Sequence, residues 1–223
     1  MVKKNSKKIT LFGSTGGIGN YLTNKFSENY EVIAVSRKKH IGKNINNITF
    51  SEFLSNSNYT YPKKKIDREK IFNSKAIILT IGSFKVSKNN LEINLDKSNF
   101  ELNFKFLNYI VVNKKKFKSK CRVIVITSMN SEIPNLKSIS YSMSKAKISA
   151  AIDNFKMQLK HSKISIENLM PGPIDTNMRN KKIKNCLSKK DIYETCNFLI
   201  NLDGNVTMDR IKIFNKTNFF IKY

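Results

Sequence analysis

The most constraining feature of this sequence is a glycine-rich turn that joins a short apolar run to a helical pattern. The run covers residues 9–12, the turn covers residues 13–19, and Ile18, Leu22 and Phe26 recur at helical spacing. Glycines let the backbone approach a pyrophosphate, and a helix start offers free N–H groups and the positive end of its dipole. The pattern therefore predicts a strand, a turn and a helix that together bind the diphosphate of a dinucleotide.

A second apolar run, residues 31–35, ends in Ser36 and Arg37. In a dinucleotide-binding fold the end of this strand faces the adenosine ribose, where an acidic residue would bind both ribose hydroxyls of NAD. An uncharged side chain followed by a guanidinium suits a 2′-phosphate instead, so the sequence favours NADP. Lys38 and Lys39 fit a solvated basic loop as well as a functional one, because lysine is abundant throughout the chain.

Further apolar runs alternate with helical patterns along the rest of the chain. Strands are predicted at residues 48–50, 76–80, 122–127, 164–169 and 210–214, and helices at 66–72, 100–111, 141–159 and 191–202. This alternation predicts an α/β fold, a single-domain doubly wound parallel sheet (Rossmann fold) of about seven strands with helices on both faces. A chain of 223 residues suits one core, so residues 1–223 are expected to form one domain.

The charge of the chain bears on its partners. Forty-one Lys and Arg residues against sixteen acidic residues give a formal net charge of +25. Such a charge usually suggests nucleic acid, but here the excess is scattered lysine without zinc-ligand spacing or an aromatic RNA-binding motif. We therefore expect no nucleic-acid partner, although a basic surface can attract phosphorylated or carboxylated substrates.

The cysteines and the apolar runs bear on the compartment. Cys121, Cys186 and Cys196 lack metal or redox spacing, so we expect no metal site, and a reducing compartment is favoured. No run approaches the ~20 apolar residues of a membrane span, and the run at residues 9–12 is too short for a signal peptide. The sequence thus predicts a soluble, cytoplasmic protein without a membrane partner.

Tyr141 and Lys145 stand one helical turn apart in the segment YSMSK. On one face of a helix, an ammonium near a phenol favours the phenolate and makes the tyrosine a proton donor and acceptor near neutral pH. Taken alone, two such residues in a lysine-rich chain usually mean an exposed helix surface. Ser128 adds to the pattern, because it ends the fifth predicted strand at the sheet edge where open parallel sheets bind ligands.

Together these motifs resemble the classical type of the short-chain dehydrogenase/reductase family over nearly the whole chain. The motifs are Gly13-xxx-Gly17-x-Gly19, Ser128 thirteen residues before Tyr141, Tyr141-xxx-Lys145, and Pro171-Gly172 with Thr176. The resemblance implies an NADP(H)-dependent oxidoreductase that transfers hydride between the nicotinamide and a small-molecule carbonyl/alcohol substrate. A reductase is favoured because NADPH pools are usually kept reduced.

The resemblance also implies a role for each site residue. Tyr141 would exchange a proton with the substrate oxygen and Ser128 would hydrogen-bond that oxygen. Lys145 would hold the nicotinamide ribose and lower the tyrosine pKa, and Asn103 looks like the member that links Lys145 to solvent through water. The residues expected to contact the cofactor are Gly13, Ser14, Thr15, Gly17, Ile18, Gly19, Ser36, Arg37, Gly82, Tyr141, Lys145, Pro171, Ile174 and Thr176.

The chain departs from the family pattern at two places. Phe12 stands where a threonine is expected, and the Asn-Asn-Ala-Gly motif is reduced to LTIG at residues 79–82, so the sheet centre must be braced differently. The glycine spacing also fits the extended branch of the family, whose members often epimerise or dehydrate nucleotide sugars. The short chain and the Pro-Gly-xxx-Thr stretch favour the classical type. A protein that binds NADP without turnover is a third alternative.

Substrate and assembly follow from the resemblance. The segment at residues 176–191, normally the substrate lid, is short and basic, and it suggests an anionic substrate through Arg179, Lys181, Lys182 and Lys184. Family members usually pair through the helix of the active tyrosine and the helix before it, so a homodimer or homotetramer is expected.

Overall fold

Aliphatic runs form the central strands of one seven-stranded sheet, and these strands are buried on both faces. The computed structural model describes residues 7–49, 65–84, 97–133, 138–176 and 184–219. Its strands are β1 (Lys8–Phe12), β2 (Glu31–Ser36), β3 (Ile45–Thr49), β4 (Ala76–Leu79), β5 (Cys121–Ile126), β6 (Ile164–Pro171) and β7 (Arg210–Ile213). Their order is β3-β2-β1-β4-β5-β6-β7, and every neighbouring pair is parallel. The predicted doubly wound parallel sheet is confirmed.

Helices cover both faces of this sheet. They are α1 (Gly17–Ser27), α2 (Lys65–Phe72), α3 (Leu102–Val112), α4 (Ile139–Leu159), α5 (Lys189–Asn201) and α6 (Lys216–Phe219). Helix α5 begins at a capping box, in which the Ser188 hydroxyl accepts from the Asp191 N–H and the Asp191 carboxylate accepts from the Ser188 N–H. A π-helical turn at Lys97–Glu101 leads directly into α3.

Two apolar layers hold the helices against the sheet. One layer lies between the sheet and helices α2, α3 and α4, where Phe72, Phe106 and Ile152 are buried. The other lies between the sheet and helices α1 and α5, where Phe26 and Leu199 are buried. Because successive strand residues point to opposite faces, each central strand contributes to both layers.

The third strand differs from its prediction. It begins at Ile45 rather than at residue 48, because polar Asn46 and Asn47 pair with β2 while their side chains hydrogen-bond Glu31 and His40. An apolar run alone could not reveal a strand whose first half is polar. The predicted end of this strand at Phe50, the predicted loop at residues 56–62 and the loop with Pro134 lie outside the described residues.

Strand order places a crevice at the carboxyl ends of the central strands. From β1 the chain winds outward through β2 and β3, and then returns to β4 on the other side of β1. Ligands of open α/β sheets bind at such a reversal, outside the carboxyl ends of the strands. Within the described ranges, no helix has the length and apolar character needed to cross a membrane.

Candidate active site

A cleft opens where β1, β4, β5 and β6 end. The glycine turn after β1 borders one side, and α4 borders the other. Its described lining residues are Ile18, Thr80, Ile81, Gly82, Ser83, Phe84, Ile126, Thr127, Ser128, Asn130, Tyr141, Lys145, Pro171, Gly172, Pro173, Ile174 and Thr176. The structure thus brings half of the predicted site residues into the lining of one cleft, among them Ser128, Tyr141 and Lys145.

Tyr141 and Lys145 lie in the first turns of α4 and both face the cleft. The Lys145 ammonium is 5.8 Å from the centroid of the Tyr141 ring. Helical spacing accounts for this contact, since residues four apart share one face of a helix. On its other side, the Tyr141 ring meets the Phe84 ring edge-on, with 5.1 Å between the two centroids.

Lys145 is a buried cation. Its residue is only 4% exposed, and this burial lowers the pKa of its ammonium to about 8. Within the part of the chain that the structure describes, the ammonium forms no hydrogen bond and no ion pair. Buried charges are normally paired, so an ammonium without a partner at the edge of a cleft is suited to bind a ligand.

Ser128 follows β5 directly and is nearly buried. Its hydroxyl oxygen accepts a hydrogen bond from the Asn130 N–H at 3.2 Å, which caps the short 3₁₀ turn Met129–Ser131. This bond uses an acceptor site of the hydroxyl and leaves its hydrogen for another group. Ser128 can therefore donate to an oxygen atom in the cleft.

Asn103 lies behind the cleft in α3 rather than among its lining residues. Its amide nitrogen donates to the Ile81 carbonyl and to the Asn99 carbonyl, at 3.0 Å in each case. Its amide oxygen is buried without a hydrogen-bond partner in the part of the chain that the structure describes. Asn103 therefore fixes the chain just beyond β4, and a water-mediated link to Lys145 stays a prediction.

The glycine turn is built as a backbone cradle. Gly13 has a φ of 83°, and its N–H donates to the Val35 carbonyl at 2.8 Å. A Cβ at Gly19 would lie 2.1 Å from the Gly13 carbonyl oxygen, so no side chain fits there. Ser14 is fully buried, and its hydroxyl oxygen has no hydrogen-bond partner among the described residues. Thr15, by contrast, is exposed.

The Pro-Gly-xxx-Thr stretch after β6 returns to this turn. A Cβ at Gly17 would lie 3.5 Å from the Thr176 Cβ, so the two predicted cofactor segments are in contact. Ile174 forms a bridge to Leu187, which holds the stretch against the chain entering α5. The two segments, predicted from separate motifs, therefore form one continuous wall of the cleft.

At the end of β2, Ser36 and Arg37 lie beyond the lining of the cleft. Ser36 is buried and its hydroxyl donates to the Lys38 carbonyl, so this side chain shapes the turn. Arg37 is exposed and forms no ion pair with a described residue. Nearby, the buried His40 ring bonds the Asn20 side chain at 2.8 Å, which joins the turn to α1.

The two departures from the family pattern have structural counterparts. Phe12 is fully buried and packs on Phe106, with ring centroids 4.3 Å apart. The Thr80 hydroxyl donates to the Phe12 and Gly13 carbonyls at 2.9 and 3.1 Å. The aromatic contact joins β1 to α3, and the Thr80 hydroxyl joins the end of β1 to the chain after β4, so these two contacts brace the sheet centre.

Three residues of this region escaped the sequence analysis. Phe84 and Asn130 line the cleft, and Asn99 lies behind Gly82 in the π-helical turn. Phe84 precedes a polar stretch without a clear pattern in the sequence, and asparagine is so common in this chain that neither amide stood out. The basic lid residues Arg179, Lys181 and Lys182 lie outside the described residues, while Lys184 is exposed. Lys145 is the one charged residue of the described lining.

Comparison with known proteins agrees with this geometry. The family model described as short chain dehydrogenase matches residues 85–187. A search of curated proteins yields no match. Among solved structures, 4-hydroxyisoleucine dehydrogenase complexed with NADH is 19% identical, with a TM-score of 0.76 over 94% of this chain and 97% of that chain.

Two further structures are similar over most of their length. A short chain dehydrogenase from Burkholderia cenocepacia J2315 in complex with NADP is 15% identical, with a TM-score of 0.73 over 96% of this chain and 90% of that chain. Serine dehydrogenase from Escherichia coli is 15% identical, with a TM-score of 0.70 over 94% of this chain and 98% of that chain. Likeness at this identity establishes the fold.

Residues 85–187 thus match the short chain dehydrogenase model, and the motifs of the cleft agree with the resemblance to the short-chain dehydrogenase/reductase family. The resemblance predicted from the sequence is therefore confirmed, whereas the role of each residue stays a prediction.

Proposed function

We propose that this protein is an NADP(H)-dependent reductase that transfers hydride to a carbonyl group of a small molecule. The observation that supports this most is Lys145, a buried ammonium with no hydrogen bond or ion pair to a described residue, one helical turn from Tyr141 in a cleft that also contains Ser128. A purely structural lysine in this position would be paired or exposed.

The described residues fit a nicotinamide dinucleotide. Gly13 and Gly19 leave room for a diphosphate at the start of α1, and the buried Ser14 hydroxyl has no protein partner. Thr176 and Ile174 border the inner part of the cleft, where they would hold the carboxamide. Lys145 would bind the hydroxyls of the nicotinamide ribose, which would supply the hydrogen bonds that its ammonium lacks.

A bound nicotinamide supplies or accepts the hydride of such a reaction. In the reductive direction Tyr141 gives its phenolic proton to the substrate oxygen, and in the oxidative direction it takes that proton back. Ser128 donates its hydroxyl hydrogen to the same oxygen and stabilises the negative charge that develops there. The nearby Lys145 ammonium stabilises the phenolate that Tyr141 becomes.

We also propose that the protein prefers NADP over NAD. The support is Arg37, an exposed guanidinium without an ion pair to a described residue, at the end of β2. A guanidinium binds a phosphate through charge-assisted hydrogen bonds, which it cannot form with the bare ribose of NAD. Similar structures hold NADP in one case and NADH in another, so the preference rests on Arg37.

The chemistry is tested by Tyr141→Phe, with Tyr30→Phe as the matched control at the far end of α1. Oxidation of NADPH would be followed with a panel of aldehydes and ketones. Loss of the proton donor should lower kcat by about 10²- to 10⁴-fold and leave the Kd for NADPH within about twofold. A Tyr141→Phe enzyme as active as Tyr30→Phe would contradict the proposal. Isomerised or dehydrated product without net NADPH oxidation would identify the epimerase alternative.

The cofactor preference is tested by Arg37→Asp, with Lys39→Asp as a control of equal charge change at an equally exposed position. Fluorescence titration should show about 10- to 100-fold weaker NADPH binding for Arg37→Asp and little change for NADH. Equal losses for both cofactors, or equal effects of the two variants, would remove the argument for the 2′-phosphate.

A homo-oligomer, either a dimer or a tetramer, is a further part of the proposal. Val112 and Met157 are 67% and 75% exposed at adjoining ends of α3 and α4, where the Lys114 ammonium donates to the Gln158 carbonyl. Burial of such apolar side chains against a second copy would be favourable. Sedimentation analysis of Met157→Lys against the unaltered protein tests it, since a cation there should weaken the assembly.

A further inference from the structure

A second cavity lies at the amino ends of β5 and β6, at the edge of the sheet opposite to the cleft. Its volume is about 480 Å³, whereas that of the cleft is about 190 Å³. It is bordered by the last turns of α4, by the starts of the two strands and by the loop at residues 204–207. Hydride transfer in the cleft does not involve this cavity, so its role must follow from its own lining residues.

The described lining of this cavity contains four lysines and no acidic residue. The lysines are Lys120, Lys156, Lys160 and Lys163. Because the chain has 41 basic residues, lysines on its surface usually mean only a solvated face. The positions of these four therefore carry more information than their number.

The lysines form two pairs of neighbouring like charges. Lys120 and Lys163 directly precede β5 and β6, whose first residues pair in the parallel ladder, so these two lysines stand side by side. Lys156 and Lys160 are four residues apart at the carboxyl end of α4 and share one face. Like charges at such spacings destabilise a strand pair or a helix. Two unfavourable pairs thus meet at one cavity.

Neutral acceptors hold the pair at the strand starts in place. The Lys120 ammonium donates to the Asn205 amide oxygen at 2.7 Å, and the Lys163 ammonium donates to the Lys118 carbonyl at 2.8 Å. The stem of Lys120 also lies against Gly204. These contacts orient both ammonium groups and leave donors free on each. They do not compensate the charges, since neither lysine forms an ion pair with a described residue.

The pair on α4 is compensated only in part. Lys156 pairs with Asp209, whereas Lys160 is exposed and forms no hydrogen bond or ion pair with a described residue. Cations complement the carboxyl end of a helix dipole, which accounts for this pair but not for the lysines at the strand starts. Three uncompensated charges therefore border one cavity, and a bound anion would stabilise this arrangement.

We propose that this cavity binds a small molecule that carries two or more phosphate groups. Lys120, Lys160 and Lys163 supply charge-assisted hydrogen bonds to the phosphate oxygens. The hydroxyl of Ser165, which is half-buried in the lining and has no described partner, is a further donor. A concave site of this volume suits a compact ligand. A second copy of this chain is a poor occupant, because its net charge is +25. This inference does not depend on the proposed function.

Site-resolved acetylation tests the proposal, with inorganic tripolyphosphate as the probe. Brief acetylation of the unaltered protein at physiological salt, quantified at each lysine by mass spectrometry, reports which ammonium groups the anion covers. We expect several-fold slower acetylation at Lys120, Lys160 and Lys163, and little change at Lys105 and Lys190, which are exposed on α3 and α5. Equal protection of all five lysines would show non-specific attraction to a basic protein and would overturn the proposal.

Matched variants then measure the affinity of this cavity alone. Lys160→Gln/Lys163→Gln removes two charges from the cavity, and Lys105→Gln/Lys190→Gln removes two charges elsewhere, so the two variants have the same net charge. The tripolyphosphate concentration that half-protects Lys120 should rise about 10- to 100-fold in the first variant and stay within about twofold in the second. Equal concentrations in the two variants would refute the site.

An oligonucleotide separates a compact ligand from a nucleic acid. If a single-stranded oligonucleotide protects Lys120 and tripolyphosphate does not, the cavity is part of a surface for a polymer and the proposal is wrong. Protection by tripolyphosphate at lower concentration than by the oligonucleotide supports it. Both measurements use the unaltered protein, so they decide the question even where a variant does not fold.

Discussion

Two buried cations, Arg122 and Lys145, lie at opposite ends of the same sheet and differ in their bonding partners. Arg122 is 5% exposed near the amino end of β5, and Lys145 is 4% exposed near the carboxyl ends of the central strands. Arg122 forms an ion pair with Glu167 and donates to the Asp203 and Val206 carbonyls at 3.0 and 2.8 Å. The Lys145 ammonium forms no bond to a described residue.

The partners of Arg122 explain its role. Glu167 is fully buried in β6 and also accepts hydrogen bonds from the Met208 N–H at 2.9 Å and from the Thr207 hydroxyl. The ion pair therefore holds β5, β6 and the loop before β7 together. The planar guanidinium, with several donors in fixed directions, suits such a permanent set of partners.

This contrast distinguishes a charge that stabilises the fold from a charge that is available to a ligand. Burying a charge is costly, and at Arg122 the cost is offset by bonds within the protein. At Lys145 the described residues supply no such bonds, so the rest of the fold must stabilise an arrangement that is itself unfavourable. Residues of this kind are typical of sites that bind ligands, and the contrast can be tested by removing each charge in turn.

The largest expected effect follows the removal of Arg122. Arg122→Ala leaves the Glu167 carboxylate buried without its cation, which should lower the free energy of unfolding by about 3–5 kcal/mol. Urea unfolding monitored by circular dichroism would measure the loss. Arg210→Ala is the control, because Arg210 bonds Glu132 and Asp153 at a largely exposed position. Similar losses of stability in the two variants would show that burial of an ion pair does not determine its contribution to stability.

Removal of the charge at Lys145 should instead raise the free energy of unfolding. Its folded-state pKa of about 8 lies below the usual lysine value of 10.5, so the folded state is penalised at low pH and the penalty disappears as pH rises from 8 to 10.5. Lys145→Met should therefore raise the free energy of unfolding at neutral pH by up to about 3 kcal/mol while abolishing turnover.

The pH dependence provides the check on Lys145. The stability that Lys145→Met gains over the unaltered protein should shrink between pH 8 and 10.5. Over this range only the unaltered protein becomes more stable, because its buried ammonium loses a proton. Lys105→Met, an exposed position in α3, should show no such trend. A Lys145→Met protein less stable than the unaltered one would mean that the ammonium has a stabilising partner.

The sequence predicted the site more fully than it predicted what surrounds the site. Strands buried on both faces are apolar throughout, and glycines and a Tyr-xxx-Lys spacing are local patterns, so Gly13, Ser128, Tyr141 and Lys145 could be identified without a structure. Their meeting in one cleft follows from strand order, because the carboxyl ends of parallel strands share one edge.

The residues that support these groups could not be predicted in this way. Arg122 and Glu167 are 45 positions apart, and nothing local marks them as partners in a chain with 41 basic residues. Asn99 depends on a π-helical turn, which shifts side-chain directions relative to a regular helix. Contacts between distant residues and irregular backbone thus account for most of what the sequence left undetermined.

A moderate effect is expected from Thr80→Val, directly after the carboxyl end of β4. The change keeps the shape of the side chain but removes the hydroxyl that bonds the Phe12 and Gly13 carbonyls. Loss of this bond should lower the free energy of unfolding by about 1 kcal/mol and weaken NADPH binding, since the glycine turn is no longer held to β4. Thr195→Val, half-buried on α5, is the control in both measurements. Normal NADPH affinity in Thr80→Val would show that the turn keeps its shape without this bond.

The smallest effect should come from an exposed ion pair near the amino end of β7. Lys156 pairs with Asp209, and their side chains are 23% and 72% exposed. The hydrogen bond from Lys156 lowers the pKa of Asp209, so this contribution to stability is present near neutral pH and is lost as pH falls. A double-mutant cycle with Lys156→Met and Asp209→Asn should give a coupling of only about 0.2–1 kcal/mol, because solvent screens exposed charges. The coupling should fall further in high salt, whereas the effect of Arg122→Ala should persist there. A coupling as large as the stability lost in Arg122→Ala would contradict the role of burial. It would mean that an ion pair stabilises the fold equally whether it is buried or exposed.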